Sequence, residues 1–171
     1  MAEKIVKWLL GVFGGLLSLK YGKELIVFII SLMPILELRG GLIAAALLDL
    51  DPVRSYIIAI IGNIIPVPFI LWFITSILDF MRKTKGLKKI AAFIDKKAMK
   101  HKHQIETYGF WGLVFFVGIP LPGTGAWTGC LIAALLEMDR KKSFLAAMIG
   151  IFMASIIMMI LSFGLLKGIT G

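Results

Sequence analysis

Pro120-Leu-Pro-Gly-Thr-Gly-Ala-Trp-Thr-Gly129 interrupts an otherwise apolar run of residues. Proline lacks the backbone N–H that a helix needs, and glycine costs about 1 kcal/mol relative to alanine, so this stretch predicts a broken helix. At membrane depth, broken backbone persists only where protein or a water-filled cavity satisfies its polar groups. An earlier stretch, Pro34-Ile-Leu-Glu-Leu-Arg-Gly-Gly41, has the same character and adds two charges. Both stretches predict polar bends inside a membrane protein, with a helix restarting after the last glycine of each.

The composition places the chain among integral membrane proteins. It has 171 residues, of which 59% are hydrophobic and 17% charged, and its length suits a single domain. Two runs, Tyr56 to Leu78 and Phe144 to Leu166, are long enough to cross a hydrocarbon core of about 30 Å as helices. The apolar segments on either side of the earlier bend, Leu25 to Leu36 and Leu42 to Leu48, are each too short to cross the membrane alone. Residues 5–19 predict either a helix at the membrane interface or a short helix that crosses a locally thinned membrane.

The net charge of +9 is concentrated in one segment, because nine of the 19 basic residues lie between Arg82 and Lys102. Such a cluster between membrane segments is the positive-inside signal, which predicts a multi-pass protein of the cell membrane with residues 81–108 in the cytoplasm. Apolar residues at helical spacing indicate an amphipathic helix lying on anionic lipid. We expect membrane lipids as partners and no nucleic acid, since aromatic or groove-reading motifs are missing among these lysines.

The sequence contains an internal repeat. A shift of 88 positions aligns Gly41–Gly62 with Gly129–Gly150, with ten identities in 22 positions, including matched Asp, Ser and Gly residues. Pro34 and Pro120 also pair if the second copy carries a two-residue insertion. Internal repeats in a membrane protein are typical of transporters, whose sites lie where the repeats meet.

Two all-α membrane architectures fit the repeat. In the first, residues 25–80 and 109–171 each form a re-entrant helical hairpin plus one spanning helix, so the two copies are inverted. An N-terminal helix in residues 1–24 and the basic linker 81–108 complete this arrangement. In the second, each hairpin is a kinked full crossing and the copies are parallel. Charge bias does not separate the two, but half-length arms with Pro, Gly and charge at the bend favour the hairpins.

The two bend motifs carry a resemblance to a known family. Glu37-Leu-Arg-Gly-Gly-Leu-Ile and Pro120-Leu-Pro-Gly-Thr-Gly-Ala-Trp-Thr-Gly resemble the signatures of the small multidrug export proteins, over roughly Leu25 to the C-terminus. That family is similar to the DedA (VTT) superfamily, which implies inverted re-entrant hairpins and ion-coupled movement of lipids such as polyprenyl phosphates. The chain departs from the DedA pattern by carrying Pro-x-Pro-Gly in its second half.

Glu37 and Arg39 are the only charges deep in a predicted membrane segment. Because a charge there costs about 3 kcal/mol on insertion scales, a functional role is the default, although a mutual ion pair that locks the bend is the structural alternative. Helix N-termini aimed at the bends, together with Arg39, favour a phosphate-type anion, and Glu37 is suited to exchange protons. The other candidate substrate-binding or coupling residues are Gly40, Gly41, Asn63, Pro120, Pro122, Gly123, Thr124, Gly125, Trp127 and Thr128. Asn63 either satisfies a carbonyl freed by Pro66 or Pro68 or lines a path, and Trp127 either donates to substrate or packs.

The sequence therefore predicts a small secondary transporter for an anionic amphipathic lipid, either a polyprenyl phosphate or a phospholipid headgroup, coupled to protons or another ion. A proton-coupled exporter of lipophilic cationic drugs is the alternative, and a non-transporting membrane scaffold is the second. No catalytic residues, metal ligands or cofactor are expected, because no nucleophile triad, metal cluster or phosphate-binding loop is present. Glycine-rich helix faces and small size are compatible with a homodimer.

Overall fold

The computed structural model describes Trp8, residues 11–121 and residues 123–165, and these are helical with no strand among them. Proline and glycine positions set most helix ends, as the sequence predicts. The helices are α1 (Gly22–Leu32), α2 (Glu37–Leu47), α3 (Pro52–Ile64), α4 (Pro66–Lys83), α5 (Lys88–Gly118), α6 (Ala126–Leu135) and α7 (Arg140–Met159). A 3₁₀ helix, Gly14–Ser18, precedes α1, and a π-helix, Ile160–Leu165, follows α7.

Among the described residues, two helical segments are long and apolar enough to cross a membrane. They are Pro52–Lys83, with 32 residues, and Arg140–Gly164, with 25 residues. The first contains the predicted span Tyr56 to Leu78, and the second contains Phe144 to Leu166 apart from its last two residues, of which Leu166 lies outside the described residues. Each begins after an aspartate, since Asp51 and Asp139 accept hydrogen bonds from the backbone N–H three residues on. The arms α1 and α2 have 11 residues each, about 16 Å at 1.5 Å per residue, so neither reaches across.

The chain divides into two compact units. The first consists of Met1–Ile65 and Ile151–Gly171, and the second of Pro66–Gly150. Each unit therefore combines the hairpin of one repeat with part of the long helix of the other. Within the first unit α2 packs against the π-helix, and within the second α6 packs against α4, which is the equivalent pairing under the 88-residue shift.

The first unit is built on close contact among α1, α2 and α3. A Cβ added at Gly41 would lie 1.9 Å from the Ser31 Oγ, and one at Gly62 would lie 2.9 Å from the Phe28 carbonyl oxygen and 2.9 Å from the Ser31 Cβ. Ser31, which is fully buried, thus lies between the glycines of the two neighbouring helices. These glycines allow backbones to approach where any side chain would hold them apart.

The second unit repeats these contacts residue for residue. A Cβ added at Gly129 would lie 2.8 Å from the Val117 side chain, and one at Gly150 would lie 2.8 Å from the Val114 carbonyl oxygen and 2.6 Å from the Val117 Cβ. Val114 and Val117 are 86 positions after Phe28 and Ser31, as the predicted two-residue insertion requires. The internal duplication is therefore visible as equivalent packing within each unit.

The turns after the hairpins also repeat. Asp49 and Glu137, 88 positions apart, have φ values of 51° and 53°, and the next residue in each turn donates a backbone hydrogen bond to Ala45 or Ala133. A left-handed residue is the usual way to end a helix and satisfy its last carbonyl groups. Both copies therefore close their second arm with the same capped turn.

The basic linker is more continuous with the second hairpin than the sequence predicts. Helix α5 spans the linker and the first hairpin arm, with a kink at Gly109, where φ is 54° and ψ is −123°. Its apolar face contacts protein, because Ala91 is fully buried, whereas Ile90 and Phe93 remain at least half exposed. Arg82 holds the linker to the end of α4 through a two-point ion pair with Asp95.

The predicted N-terminal helix lies largely outside the described residues. Where the structure describes that segment, Gly14–Ser18 forms a 3₁₀ helix that packs against α1. Gly22 admits this approach, because a Cβ there would lie 1.7 Å from the Leu16 carbonyl oxygen.

Candidate functional site

The first bend is shorter than the sequence predicts. Helix α1 ends at Leu32 and α2 already begins at Glu37, so the irregular segment is confined to residues 33–36. The prediction that a helix restarts only after Gly41 is wrong, and in the second bend the restart after Gly129 is wrong too, because α6 begins at Ala126. These glycines do not break the helix but lie inside it and face a neighbouring helix.

Gly40 and Gly41, both predicted site residues, have a packing role in the structure. A Cβ at Gly40 would lie 2.5 Å from the Leu36 Cβ and 3.1 Å from an Ile30 methyl carbon. With Gly41 against Ser31, these contacts bring the first turn of α2 onto the end of α1. The close approach positions the charged side chains of that turn.

Glu37 and Arg39 lie in this first turn. Glu37 is 4% exposed, Arg39 is half-buried, and the carboxylate and guanidinium interact favourably. Glu37 also has a φ of 52°, a left-handed conformation that costs an L-residue about 1–2 kcal/mol. A strained and nearly buried carboxylate beside a cation is an arrangement that functional sites retain against stability.

Asn63 lies at the same end of the first unit. Helices α2 and α3 run antiparallel about the turn at residues 48–51, and Gly62 and Gly41 both contact Ser31, so this part of α3 is level with the first turns of α2. The Asn63 side chain is 1% exposed, and neither its Nδ2 nor its Oδ1 has a hydrogen-bond partner among the described residues. The predicted bond to a freed carbonyl is therefore not formed. A buried primary amide without partners is costly unless a ligand or water completes it.

The second bend is closed by its own backbone and by a threonine. Gly123 and Gly125 have φ values of 86° and 133°, which favour glycine. The Thr124 hydroxyl lies 3.0 Å from the Ile119 carbonyl oxygen and 2.8 Å from that of Leu121, so it serves the loop itself. Pro120 lies just before this loop, and Pro122 lies outside the described residues.

Trp127 and Thr128 follow in the first turn of α6. Thr128 is 9% exposed, and Trp127 is half-buried at the edge of a cavity shared with α4. The two predicted neutral donors therefore differ in position, with the tryptophan facing an apolar groove.

The two copies have diverged at equivalent positions. Under the 88-residue shift, Glu37 corresponds to Gly125, Arg39 to Trp127 and Asn63 to Ile151, while Ser31 corresponds to Val117 under the 86-residue shift. Every polar group of the first site is thus matched by glycine or an apolar residue in the second. Gly125 and Glu37 both have a positive φ, at 133° and 52°, and glycine is the residue that tolerates positive φ most readily, so only the second copy has the favoured residue.

This comparison gives a prediction about stability. In an Arg39→Ala background, the Glu37→Gly variant should have a free energy of unfolding about 1 kcal/mol higher than the Glu37→Ala variant, because only glycine adopts the positive φ without strain. An ordinary helix position shows the opposite order, and Ala46→Gly in the same helix is the matched control. Unfolding in detergent micelles measures both pairs. Equal stability of the two Glu37 variants would show that the conformation is unstrained.

Sequence reasoning missed Ser31, which decides the approach of α2 and α3 to α1. The sequence does offer a sign of it. Under the 86-residue shift Ser31 aligns with Val117, so a polar residue stands in one copy where the other copy has an apolar one. Among the described residues no group of three or more His, Cys, Asp or Glu side chains is placed to hold a metal ion.

Comparison with known proteins agrees with the class of protein that these features indicate. The family model described as "Putative small multi-drug export protein" matches residues 37–157. No curated protein and no solved structure gives a significant match. The matched region begins at Glu37, at the start of α2, and includes the linker and the second bend.

Proposed function

Because the chain belongs to the small multi-drug export protein family, a family of membrane transporters, we propose that it is a small secondary transporter with its coupling site in the first bend. The observation that carries the proposal is Glu37, a nearly buried carboxylate held at positive φ beside Arg39. Its equivalent in the second copy is a glycine, so the fold does not need a carboxylate there.

Glu37 and Arg39 form a coupled pair in this proposal. When Glu37 is ionised, its charge compensates the guanidinium, and the pair is closed to other ions. When Glu37 takes up a proton, Arg39 is left with an uncompensated charge and two N–H edges that suit a phosphate. Proton and anion therefore bind together.

Few other charges are near enough to disturb this pair within the first unit. The sequence from Leu25 to Leu48 holds no further charged residue. Lys23 lies at the opposite end of the hairpin, where its Nζ donates to the Leu48 carbonyl oxygen at 2.9 Å, and Asp51 and Arg54 follow the same turn. Protonation of Glu37 therefore changes the electrostatic environment of Arg39 more than that of the charged residues at the opposite end of the hairpin.

Asn63 supplies the third group. Its amide offers two donors and an acceptor at the level of the first turns of α2, and none of these is bonded within the part of the chain that the structure describes. An anion or the water that accompanies it can accept from Nδ2, which offsets the cost of burying the amide.

The proposed substrate is an anionic amphipathic lipid, either a polyprenyl phosphate or a phospholipid. Arg39 supports an anionic head, and the lysines between Arg82 and Lys102 concentrate anionic lipid at the membrane surface. The hydrocarbon part stays in the bilayer while the head crosses.

A lipophilic cation is the second candidate substrate, favoured by the family description and by the burial of Glu37. In that mechanism the ionised carboxylate binds the drug and Arg39 has a structural role. Cation and proton then compete for one group, which makes the protein an exchanger.

The sign of the pH dependence distinguishes the two mechanisms. Binding of a short-chain polyprenyl phosphate to the purified protein should tighten as pH falls, because protonation of Glu37 releases Arg39. Binding of a lipophilic cation such as tetraphenylphosphonium should weaken over the same range. Calorimetric titrations across pH 5 to 8 with both ligands measure this, and cation binding that weakens at low pH without any anion binding would select the exchanger.

We also propose that each hairpin is re-entrant and that the two repeats are inverted, as in the DedA proteins. The half-length arms support this, since α1, α2 and α6 have 11, 11 and 10 residues. The equivalent packing in both units supports two copies of one building block.

Labelling from the two sides of the membrane tests the hairpins. Single cysteines at Lys23 and Arg54, in a Cys130→Ser background, should react with a membrane-impermeant maleimide from the same side. A re-entrant hairpin returns the chain to the side it left, whereas a single kinked crossing through α1 and α2 would place the two positions on opposite sides. Cysteines at Arg54 and Lys142, which are equivalent in the two copies, should react from opposite sides if the repeats are inverted.

A further inference from the structure

The second unit contains an apolar groove that the proposed coupling site does not use. It runs along one face of α4, has a volume of about 530 Å³ and is closed at one edge by Trp127 of α6. Phe69, Phe73 and Phe80 line it and are each more than half exposed. This volume lies in the usual range for ligand pockets, about 300–1,000 Å³.

One end of the groove adjoins a basic surface. Phe80, its last lining residue, is followed within five positions by Lys83 and Lys85, both exposed. Arg82 is engaged with Asp79 and Asp95, so it adds little net charge. Lys88 and Lys89, at the start of α5, are exposed as well. An apolar groove with clustered lysines beside one end is complementary to a molecule with a hydrocarbon chain and an anionic head.

The repeat comparison supports the same ligand. Trp127 occupies the position of Arg39, so the second copy has an aromatic wall where the first has its cation. In both copies this residue lies in the first turn of the second hairpin arm, and that arm packs against the long helix contributed by the other repeat. The same position therefore holds a cationic side chain, Arg39, in the first copy and an aromatic side chain that lines an apolar groove, Trp127, in the second.

We propose that this groove binds the hydrocarbon chain of an anionic lipid, whose headgroup lies at the lysines near the end of α4. The inference rests on the proposed function in taking that lipid as the substrate class. It adds a second lipid-binding site, at α4 and Trp127, which is separate from the polar site of the first bend. The basic end of the groove selects an anionic lipid over a second copy of the chain, which would bring more lysines to the same surface.

Photolabelling tests the proposal in liposomes containing the full chain. A phosphatidylglycerol with a diazirine in its acyl chain should label peptides containing Phe69 to Phe80 or Trp127, located by mass spectrometry. Unlabelled phosphatidylglycerol should compete about tenfold better than phosphatidylcholine with the same chains, if the lysines contribute about 1.4 kcal/mol. Equal competition by the two lipids would identify ordinary boundary lipid and overturn the proposal.

A blocking variant and its control sharpen the result. Ser76 lines the groove and is exposed, so Ser76→Trp should fill it and abolish selective labelling. Ile156→Trp adds the same bulk to an exposed position of α7 outside the groove and should leave labelling unchanged. Cross-links between two protein chains at the α4 face, in place of lipid labelling, would show that a second copy covers it and would also overturn the proposal.

The Arg39→Ala protein separates this inference from the proposed function. Selective labelling of the groove in that variant, with transport lost, supports both. Selective labelling with unchanged transport retains the groove and removes the coupling site from the first bend. Absence of selective labelling in the wild-type protein, with transport still lost in Arg39→Ala, rejects the groove alone.

Discussion

Replacing Arg39 with alanine is expected to weaken binding of a phosphate-bearing lipid by about tenfold to a hundredfold, because a charge-assisted hydrogen bond contributes roughly 1.5–3 kcal/mol. Transport of that lipid into proteoliposomes should fall at least as far. Arg39→Lys should recover only part of the loss, since an ammonium group cannot present the paired N–H edge of a guanidinium. Binding is measured by titration calorimetry and transport by accessibility of the labelled headgroup.

Glu37→Gln is the companion change, and it separates coupling from binding. A neutral amide imitates the protonated carboxyl, so anion binding should persist while its dependence on pH disappears. Arg54→Ala removes an exposed arginine at the far end of the same unit and is the matched control. Unaltered binding in Arg39→Ala, or the same loss in Arg54→Ala, would contradict the assignment of the anion to the first bend.

Gly41→Ala is expected to lower the free energy of unfolding by about 1–3 kcal/mol, the usual effect of overpacking a close contact. The added methyl group meets the Ser31 Oγ at 1.9 Å, and Ser31 is fully buried with its hydroxyl bonded to the Val27 carbonyl oxygen at 2.7 Å. The side chain therefore has little room to move, and α2 must shift away from α1. Unfolding in detergent micelles measures the loss.

A second substitution identifies the cause. Ser31→Ala removes the atom that the new methyl group meets and leaves its nearest contacts at 3.2 Å, so the double variant should recover most of the lost stability. Gly86→Ala is the control, because nothing lies within 4 Å of a Cβ there. Additive losses in the double variant would show that Gly41 matters for a reason other than this contact.

Much of the fold follows from the sequence because its signals are local and strong. Pro34 and Pro120 mark both bends, and the long apolar runs lie inside the two helices that are able to span. The repeat was readable from Asp, Ser and Gly in register, and the structure gives those positions equivalent contacts. Such features need no knowledge of distant partners.

The residues of the candidate site can be proposed from the sequence, but their geometry cannot. Glu37 and Arg39 were identified by charge alone, yet the helix that carries them was expected to begin only after Gly41. Glycine has two uses, to break a helix and to admit a neighbour, and only the position of Ser31 shows which applies. The packing of α2 against α1, and not the low helix propensity of glycine, determines where the helix begins.

The unusual backbone of Glu37 also lay beyond sequence reasoning. No local rule places a glutamate at a φ of 52°, and the only hint is Gly125 at the equivalent position of the second copy. The loss of pairing at Asn63 is likewise a property of the packed unit, because an amide in a helix interior usually finds a partner. Strain at Glu37 and an amide at Asn63 with no hydrogen-bond partner among the described residues are the structural reasons for proposing a site at this end of the unit.

Proton uptake on ligand binding tests the central claim, that Glu37 takes up a proton when Arg39 binds an anion. Titration of the wild-type protein with a short-chain polyprenyl phosphate, in buffers of different ionisation enthalpy near neutral pH, gives the number of protons bound per ligand. The account predicts an uptake approaching about one proton, absent in Glu37→Gln. Anion binding with no proton uptake, or with the same uptake in Glu37→Gln, would contradict it.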